Sequence, residues 1–277
     1  MPIPVPELEP AGLLDRARAA VSDRAELPGM SLMEHLEELR RRLIHSVLYV
    51  IAGAGIAYYF RETIVGYMQR PIIAVLSSQH MDTRLVYLSP IEPFNFYMKI
   101  ALFGGCILAS PFVLYQVWLF ISPGLYKHEK RYVVPFMVAT VGLFLAGAFF
   151  GYHFVYPGAL NFLIGKFNTQ FRPMITISEY TSLFLTVILG LATVFEMPIL
   201  VFFLALFGIV NARFLWKNLR IAILLIFIVA AIITPTPDPL SMCIFATPML
   251  ALYFISIGVA YFVHPSRRKA RAAKASA

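Results

Sequence analysis

The sequence predicts an all-α integral membrane protein with six transmembrane helices and both termini in the cytoplasm. Three observations predict it. Of 277 residues, 59% are hydrophobic and only 14% are charged, whereas soluble domains carry about a quarter charged residues. The mean hydropathy is +0.74, too apolar for a chain that must cover its own surface with polar groups. The apolar residues are also gathered into long blocks, and a span needs about 20 mostly apolar residues. Only helices satisfy every backbone group within one span, and no alternating barrel pattern is visible.

Residues 1–30 are rich in Pro, Ala and charge and lack the basic, apolar, small order of a cleaved signal peptide. They read as a mobile cytoplasmic extension. Residues 31–263 form the membrane domain, with spans expected at 44–60, 94–121, 132–156, 183–210, 214–233 and 240–263. Residues 264–277 are a basic cytoplasmic tail. Ahead of the first span, Ser31-Leu32-Met33-Glu34 has the spacing of a helix capping box. Leu32, Leu36, Leu39 and Leu43 follow at helical spacing, so this segment can lie in the interface before turning into the membrane. Its polar face carries Glu34, Glu37, Glu38, Arg40, Arg41 and Arg42. Glu37 with Arg41 and Glu38 with Arg42 are four apart and can pair along the helix.

The second span has Lys99 near its start. The connection after it, 122–131, holds one acid, Glu129, among Lys127, Lys130 and Arg131. That acid either balances local charge or grips a guanidinium in bidentate geometry. Glu196 is the only charged residue in 183–210. A carboxylate in hydrocarbon costs about 3 kcal/mol on insertion scales, so Glu196 needs a proton, a hydrated cavity or a polar partner. Pro198, two residues on, kinks the helix and frees a backbone carbonyl. Glu196 is then either a structural hydrogen-bonding group or a functional polar site within the membrane.

The fifth span is irregular. Lys217 and Arg220 leave 221–233 as its uninterrupted apolar run, about 20 Å long at 1.5 Å per residue, against a hydrocarbon core of about 30 Å. Either the basic end snorkels on a tilted helix or the bilayer thins. The outward connections 61–93 and 157–182 are long enough for short helices, and 64–76 is amphipathic. The last connection, 234–239, is a proline-rich turn.

Lys and Arg counts orient the chain. Seventeen fall in the N-terminal segment, the connections after spans two and four, and the C-terminal tail. Five fall on the other side: Arg61, Arg70, Arg84, Lys166 and Arg172. The net charge of +8 is thus explained by orientation rather than by nucleic acid. Cys106 and Cys243 sit in apolar segments and read as packing residues, with no disulfide framework, metal site or cofactor implied.

Together these strings resemble the TatC family, the multispanning core subunit of the twin-arginine protein translocase. They are His35-Leu36-Glu37-Glu38-Leu39-Arg40, Leu114-Tyr115-Gln116-Val117-Trp118-Leu119-Phe120, Leu125-Tyr126-Lys127-His128-Glu129, Phe195-Glu196-Met197-Pro198 and Thr234-Pro235-Thr236-Pro237-Asp238. The resemblance runs from Ser31 to Val263. It implies a six-helix fold with a concave face carrying a buried glutamate, no covalent catalysis, and a place in the bacterial cytoplasmic membrane. It implies recognition of signal peptides bearing two arginines and export of folded proteins driven by the proton-motive force. The implied partners are the single-span subunits TatA and TatB, with self-association in a larger complex. By resemblance, Glu38 and Glu129 receive the arginine pair, with Leu39, Arg40, Phe120, Lys127, Lys130 and Arg131 around them. Glu196, with Pro198 and Met242, matches the partner-subunit region. Pro71 and Asp238 match sensitive positions of the outward loops. Two departures are the additional residue in the Thr-Pro-Thr-Pro-Asp turn and Met242 where some members have a polar residue.

Two other classes compete. A proton-coupled solute transporter using Glu196 usually goes with internal repeats, and none is detectable. An intramembrane hydrolase needs a nucleophile and base inside spans. His45 and His264 lie at span ends, His35, His80 and His128 lie outside, and His153 has no nucleophile pattern beside it.

Overall fold

A computed structural model of the chain describes residues 32–121, 133–165, 174–206, 208–234 and 239–263. The extension at 1–30, the connection holding Lys127, Glu129, Lys130 and Arg131, the acid Asp238 and the tail 264–277 lie outside the described residues.

Helix α1, Leu32–Tyr59, runs unbroken for 28 residues. The interfacial segment and the first span, expected as two pieces, are one helix, because no breaker stands between Leu32 and Ile44. Helix α2, Arg61–Ser78, is the amphipathic helix of the first outward connection, and it buries Met68, Pro71, Ile72, Val75 and Leu76. Helix α3 is Glu92–Ile121. Helix α4, Val133–Phe150, continues through a wide π turn at Gly151–Val155, an α turn at Tyr156–Leu160 and a second wide turn at Asn161–Gly165. The third span therefore does not stop at Tyr156. Pro157 falls at the start of the α turn, where a missing N–H costs little, and the wide turns absorb the mismatch.

Helix α5, Ile177–Val194, starts six residues before the expected 183. Thr176 caps it, its Oγ1 accepting from the Glu179 N–H at 3.2 Å. It breaks at Phe195–Glu196, and α6, Met197–Leu206, resumes the path. The fourth span is thus two helices, not one helix to 210. The expected fifth span, 214–233, is also divided. Helix α7 is Ala212–Lys217 and α8 is Leu219–Ile233, with Asn218 between them donating its side-chain amide back to the Phe214 carbonyl at 2.9 Å. The apolar part is 15 residues, about 22 Å long. Helix α9 is Pro239–Val263.

The chain is thus an all-helical membrane protein, and its described residues hold five segments long and apolar enough to cross a bilayer: Met33–Tyr59, Glu92–Phe120, Pro135–Gly165, Ile177–Leu206 and Pro239–Val263. The expected six spans become five long ones and, at the fifth position already read as short, the helix Leu219–Ile233. Large apolar side chains stand outward on them, Leu43 at 62% and Ile51 at 62% exposure among them, a surface that only lipid covers favourably. Cys243 is among the outward residues rather than packed.

Helix α1 packs along α3 more extensively than any other pair of helices, α6 lies on α9, and α4 lies on α5. The α1–α3 contact is backbone to backbone. A Cβ on Gly53 would stand 2.8 Å from the Gly105 carbonyl oxygen, and one on Gly105 would stand 2.6 Å from the Ala54 nitrogen. Gly104 extends the small-residue seam, since a Cβ there would stand 2.7 Å from the Cβ of buried Ala57. Helices in lipid associate through such close packing, since the surrounding acyl chains offer no hydrophobic drive.

Gly105→Ala is therefore expected to lower stability by about 1–3 kcal/mol. Gly55→Ala, where an added Cβ meets nothing within 4 Å, should change it by less than about 0.5 kcal/mol. Thermal unfolding of the two variants in detergent checks the contrast, and equal effects would refute the backbone seam.

Candidate functional site

The antiparallel α1–α3 pair carries a polar cluster at the N-terminal end of α1. Glu38 Oε1 accepts from Arg42 Nη2 at 3.2 Å, and Arg42 Nη1 donates to Gln116 Oε1 on α3 at 3.2 Å. One turn further out, the His35 ring stacks on Phe120 with centroids 4.5 Å apart. The side chains of Glu38 and Arg42 are only 15% and 28% exposed. Glu38 Oε2 and Arg42 Nε are buried without a hydrogen-bond partner among the described residues.

The i,i+4 pairing read from sequence forms at Glu38–Arg42. Glu37 is exposed and makes no ion pair among the described residues, so pairing with Arg41 does not account for it. Leu39 and Arg40 are exposed on the outer side of α1. Chemically, Glu38 is a carboxylate with one oxygen committed and the other still able to accept. That second oxygen is buried, so a further guanidinium reaches it only when the cluster opens or Arg42 shifts.

A second site lies in the apolar interior. Glu196 sits in the break between α5 and α6, and its carbonyl accepts from the Ile199 and Leu200 N–H groups at 3.1 and 3.0 Å. Pro198 is buried in the first turn of α6 and lacks the N–H that would continue the ladder back into α5. The side chain reaches a cavity of about 350 Å³ lined by Leu114, Val117, Trp118, Thr140, Ile199, Leu200, Phe203 and Leu204. Trp118 closes one wall, edge-on to Phe203 at 4.8 Å and stacked near Phe136 at 6.1 Å. Thr140 spends its hydroxyl on the Phe136 carbonyl at 2.8 Å. Glu196 Oε1 is buried with no partner among the described residues. The cavity thus offers one polar anchor in an apolar wall.

The structure brings Glu38 and Phe120 together at the first site, and Glu196 and Pro198 at the second. Met242, half-buried on α9, and Pro71, buried in α2, are not among the residues lining the Glu196 cavity. Sequence reasoning passed over Gln116. Its signal was present: one amide in the apolar run 111–121, and it is 5% exposed.

Glu196→Leu is expected to stabilise the protein by about 1–3 kcal/mol, because it removes a buried group without a partner from an apolar wall. Glu196→Gln should change stability little. Thermal midpoints in detergent check this, and a Glu196→Leu variant less stable than the Gln variant would show that the carboxyl is structurally bonded.

Comparison with known proteins gives a consistent answer. A family model described as Sec-independent protein translocase protein (TatC) matches residues 34–248. The Sec-independent protein translocase protein TatC of Koribacter versatilis is 60% identical over 97% of this chain and 97% of its own length. That of Aquifex aeolicus is 39% identical, over 82% of this chain and 93% of its own length. A crystal structure of the twin arginine translocase receptor TatC superposes with a TM-score of 0.73 at 38% identity, covering 82% of this chain and 98% of that one.

Proposed function

The chain belongs to the TatC family of Sec-independent protein translocase proteins, a transport component rather than an enzyme, and from that premise we propose that its Glu38 cluster receives twin-arginine signal peptides. The observation that carries this reading is the half-satisfied carboxylate. Glu38 holds Arg42 through one oxygen and keeps a buried second oxygen without a partner among the described residues, so an arriving guanidinium fork would take both oxygens by exchanging with Arg42. Glu129 supplies the second carboxylate, and Phe120, Leu39, Arg40, Lys127, Lys130 and Arg131 surround the pair. The basic-residue count supports both acids facing the cytoplasm, where an unexported folded precursor meets them, in a bacterial cytoplasmic membrane that both termini face from inside.

After capture, the apolar part of the signal slides along the membrane helices. Glu196, with Pro198 beside it, offers a polar partner to a single-span helix that carries one polar side chain. TatA and TatB are the partners of this kind, and Met242 belongs with Glu196 and Pro198 to the region that meets them, while Pro71 and Asp238 are further functional positions of the outward connections. The short Leu219–Ile233 helix thins the bilayer locally once the complex gathers, and the proton-motive force drives the passage.

In a photocrosslinking or co-purification assay, Glu38→Ala combined with Glu129→Ala is expected to weaken binding of a twin-arginine precursor by at least about tenfold, the scale of one lost charge-assisted pair. A precursor whose arginine pair is changed to lysines should also bind more weakly to the wild type, because lysine cannot make the fork. Unchanged binding in the double variant would refute the assignment.

A further inference from the structure

We propose that the cleft between α2, α3, α4 and α5 is a binding site for one anionic phospholipid, its acyl chain in the cleft and its phosphate on Arg70. The cleft holds about 270 Å³ and is lined by Ile64, Tyr67, Met68, Phe103, Ile107, Ala148, Tyr152, Phe184 and Ile188. It shares no lining residue with the Glu196 cavity, which meets α3 two turns further along the helix.

Its wall decides what fills it. A buried water needs two to four polar partners. Tyr67 and Tyr152 bring the only side-chain polar atoms of the lining, and the Tyr152 hydroxyl already donates to the Tyr67 carbonyl at 2.7 Å. Several waters would fit by volume, at about 30 Å³ each, but they would lack partners. An apolar chain does not need them. Tyr67 is 54% exposed, so the cleft opens toward lipid rather than being sealed.

Its mouth carries the charge. The Arg70 guanidinium lies 4.2 Å over the Tyr67 ring that walls the cleft. Arg70 is exposed and makes no ion pair among the described residues. The cation–π contact fixes the guanidinium carbon over the ring, and its N–H groups remain able to donate to a phosphate. The tyrosines place this mouth at headgroup depth, where amphipathic rings settle. A cation with no ion pair among the described residues, held over the tyrosine that walls an apolar cleft, matches a lipid that carries net negative charge and at least one long chain.

Native mass spectrometry of the detergent-purified full chain tests this, with phosphatidylglycerol and phosphatidylcholine of matched chains supplied at equal concentration. The wild type should retain phosphatidylglycerol about fivefold over phosphatidylcholine, the scale of one basic residue at an anionic headgroup. Arg70→Gln should abolish that preference. Ala148→Phe, which fills the cleft, should lower retention of both lipids without changing the preference. Should that variant fail to fold, glycerophosphoglycerol, the headgroup without chains, is used as a competitor on the wild type and should not displace the lipid. Equal retention of the two lipids by the wild type, a preference that survives Arg70→Gln, displacement by the headgroup alone, or a second copy of the chain retained in place of lipid would each overturn the proposal.

Discussion

The close approach of α1 and α3 depends on the missing Cβ atoms at Gly53, Gly104 and Gly105. With backbone against backbone there, the two helices run antiparallel in fixed register, and the register passes outward turn by turn. Tyr49 meets Phe112 at 5.3 Å, Arg42 meets Gln116, and His35 meets Phe120. None of these contacts supplies the drive for association, since lipid tails solvate apolar side chains as well as a neighbouring helix does. The seam supplies it, and the polar cluster at the end inherits its geometry. Glu38 is held by a partner on its own helix, which is in turn held by an amide on the next.

The last turns of α3 serve both candidate sites. At 100° per residue, Phe112, Gln116 and Phe120 fall on one face and Leu114, Val117 and Trp118 on the opposite one. The first face meets α1. The second walls the Glu196 cavity. A stretch that looks uniformly apolar thus carries two specifications at once, and this accounts for burying an amide and an indole two residues apart, at 5% and 3% exposure. A rotation of α3 about its own axis would disturb both sites together.

Much of this was legible in sequence, and the limits of legibility are physical. Span existence followed from block length, and the long helices appeared nearly where the blocks lie. The Glu38–Arg42 pair followed from spacing alone, because i,i+4 neighbours meet on any helix. What failed were boundaries and breaks. Pro157 reads as a stop but sits at the start of a turn, where proline is tolerated. Asn218 reads as one polar residue in a helix, yet its side chain takes the Phe214 carbonyl and ends one. The Gln116 contact and the glycine seam depend on which helix lies opposite, and no local pattern records that. The family resemblance carried Glu129 and Asp238, which spacing alone would have left as ordinary loop acids.

The distribution of unsatisfied groups separates frame from function. Hydroxyls buried in the spans mostly look after themselves by bonding a carbonyl one turn back on their own helix: Thr140 to Phe136, Thr181 to Ile177, Ser256 to Leu252. Such groups ask nothing of a ligand. The buried side-chain atoms left without partners among the described residues are Glu38 Oε2, Arg42 Nε, Glu196 Oε1 and the Tyr156 hydroxyl. Three of the four stand in the two candidate sites. The fourth, the Tyr156 hydroxyl, interacts with the Tyr180 hydroxyl, which itself donates to the Met68 carbonyl, inside the aromatic packing of Tyr180 and Phe184 with ring centroids 5.9 and 5.2 Å away. Each orphan costs about 1–3 kcal/mol, which a marginally stable fold tolerates only where the frame is over-determined. Here the frame is the glycine seam and the packed α4–α5 core. The unsatisfied polar atoms are concentrated in the two candidate sites, where Glu38 Oε2 and Glu196 Oε1 remain able to take a hydrogen bond and Arg42 Nε remains able to give one.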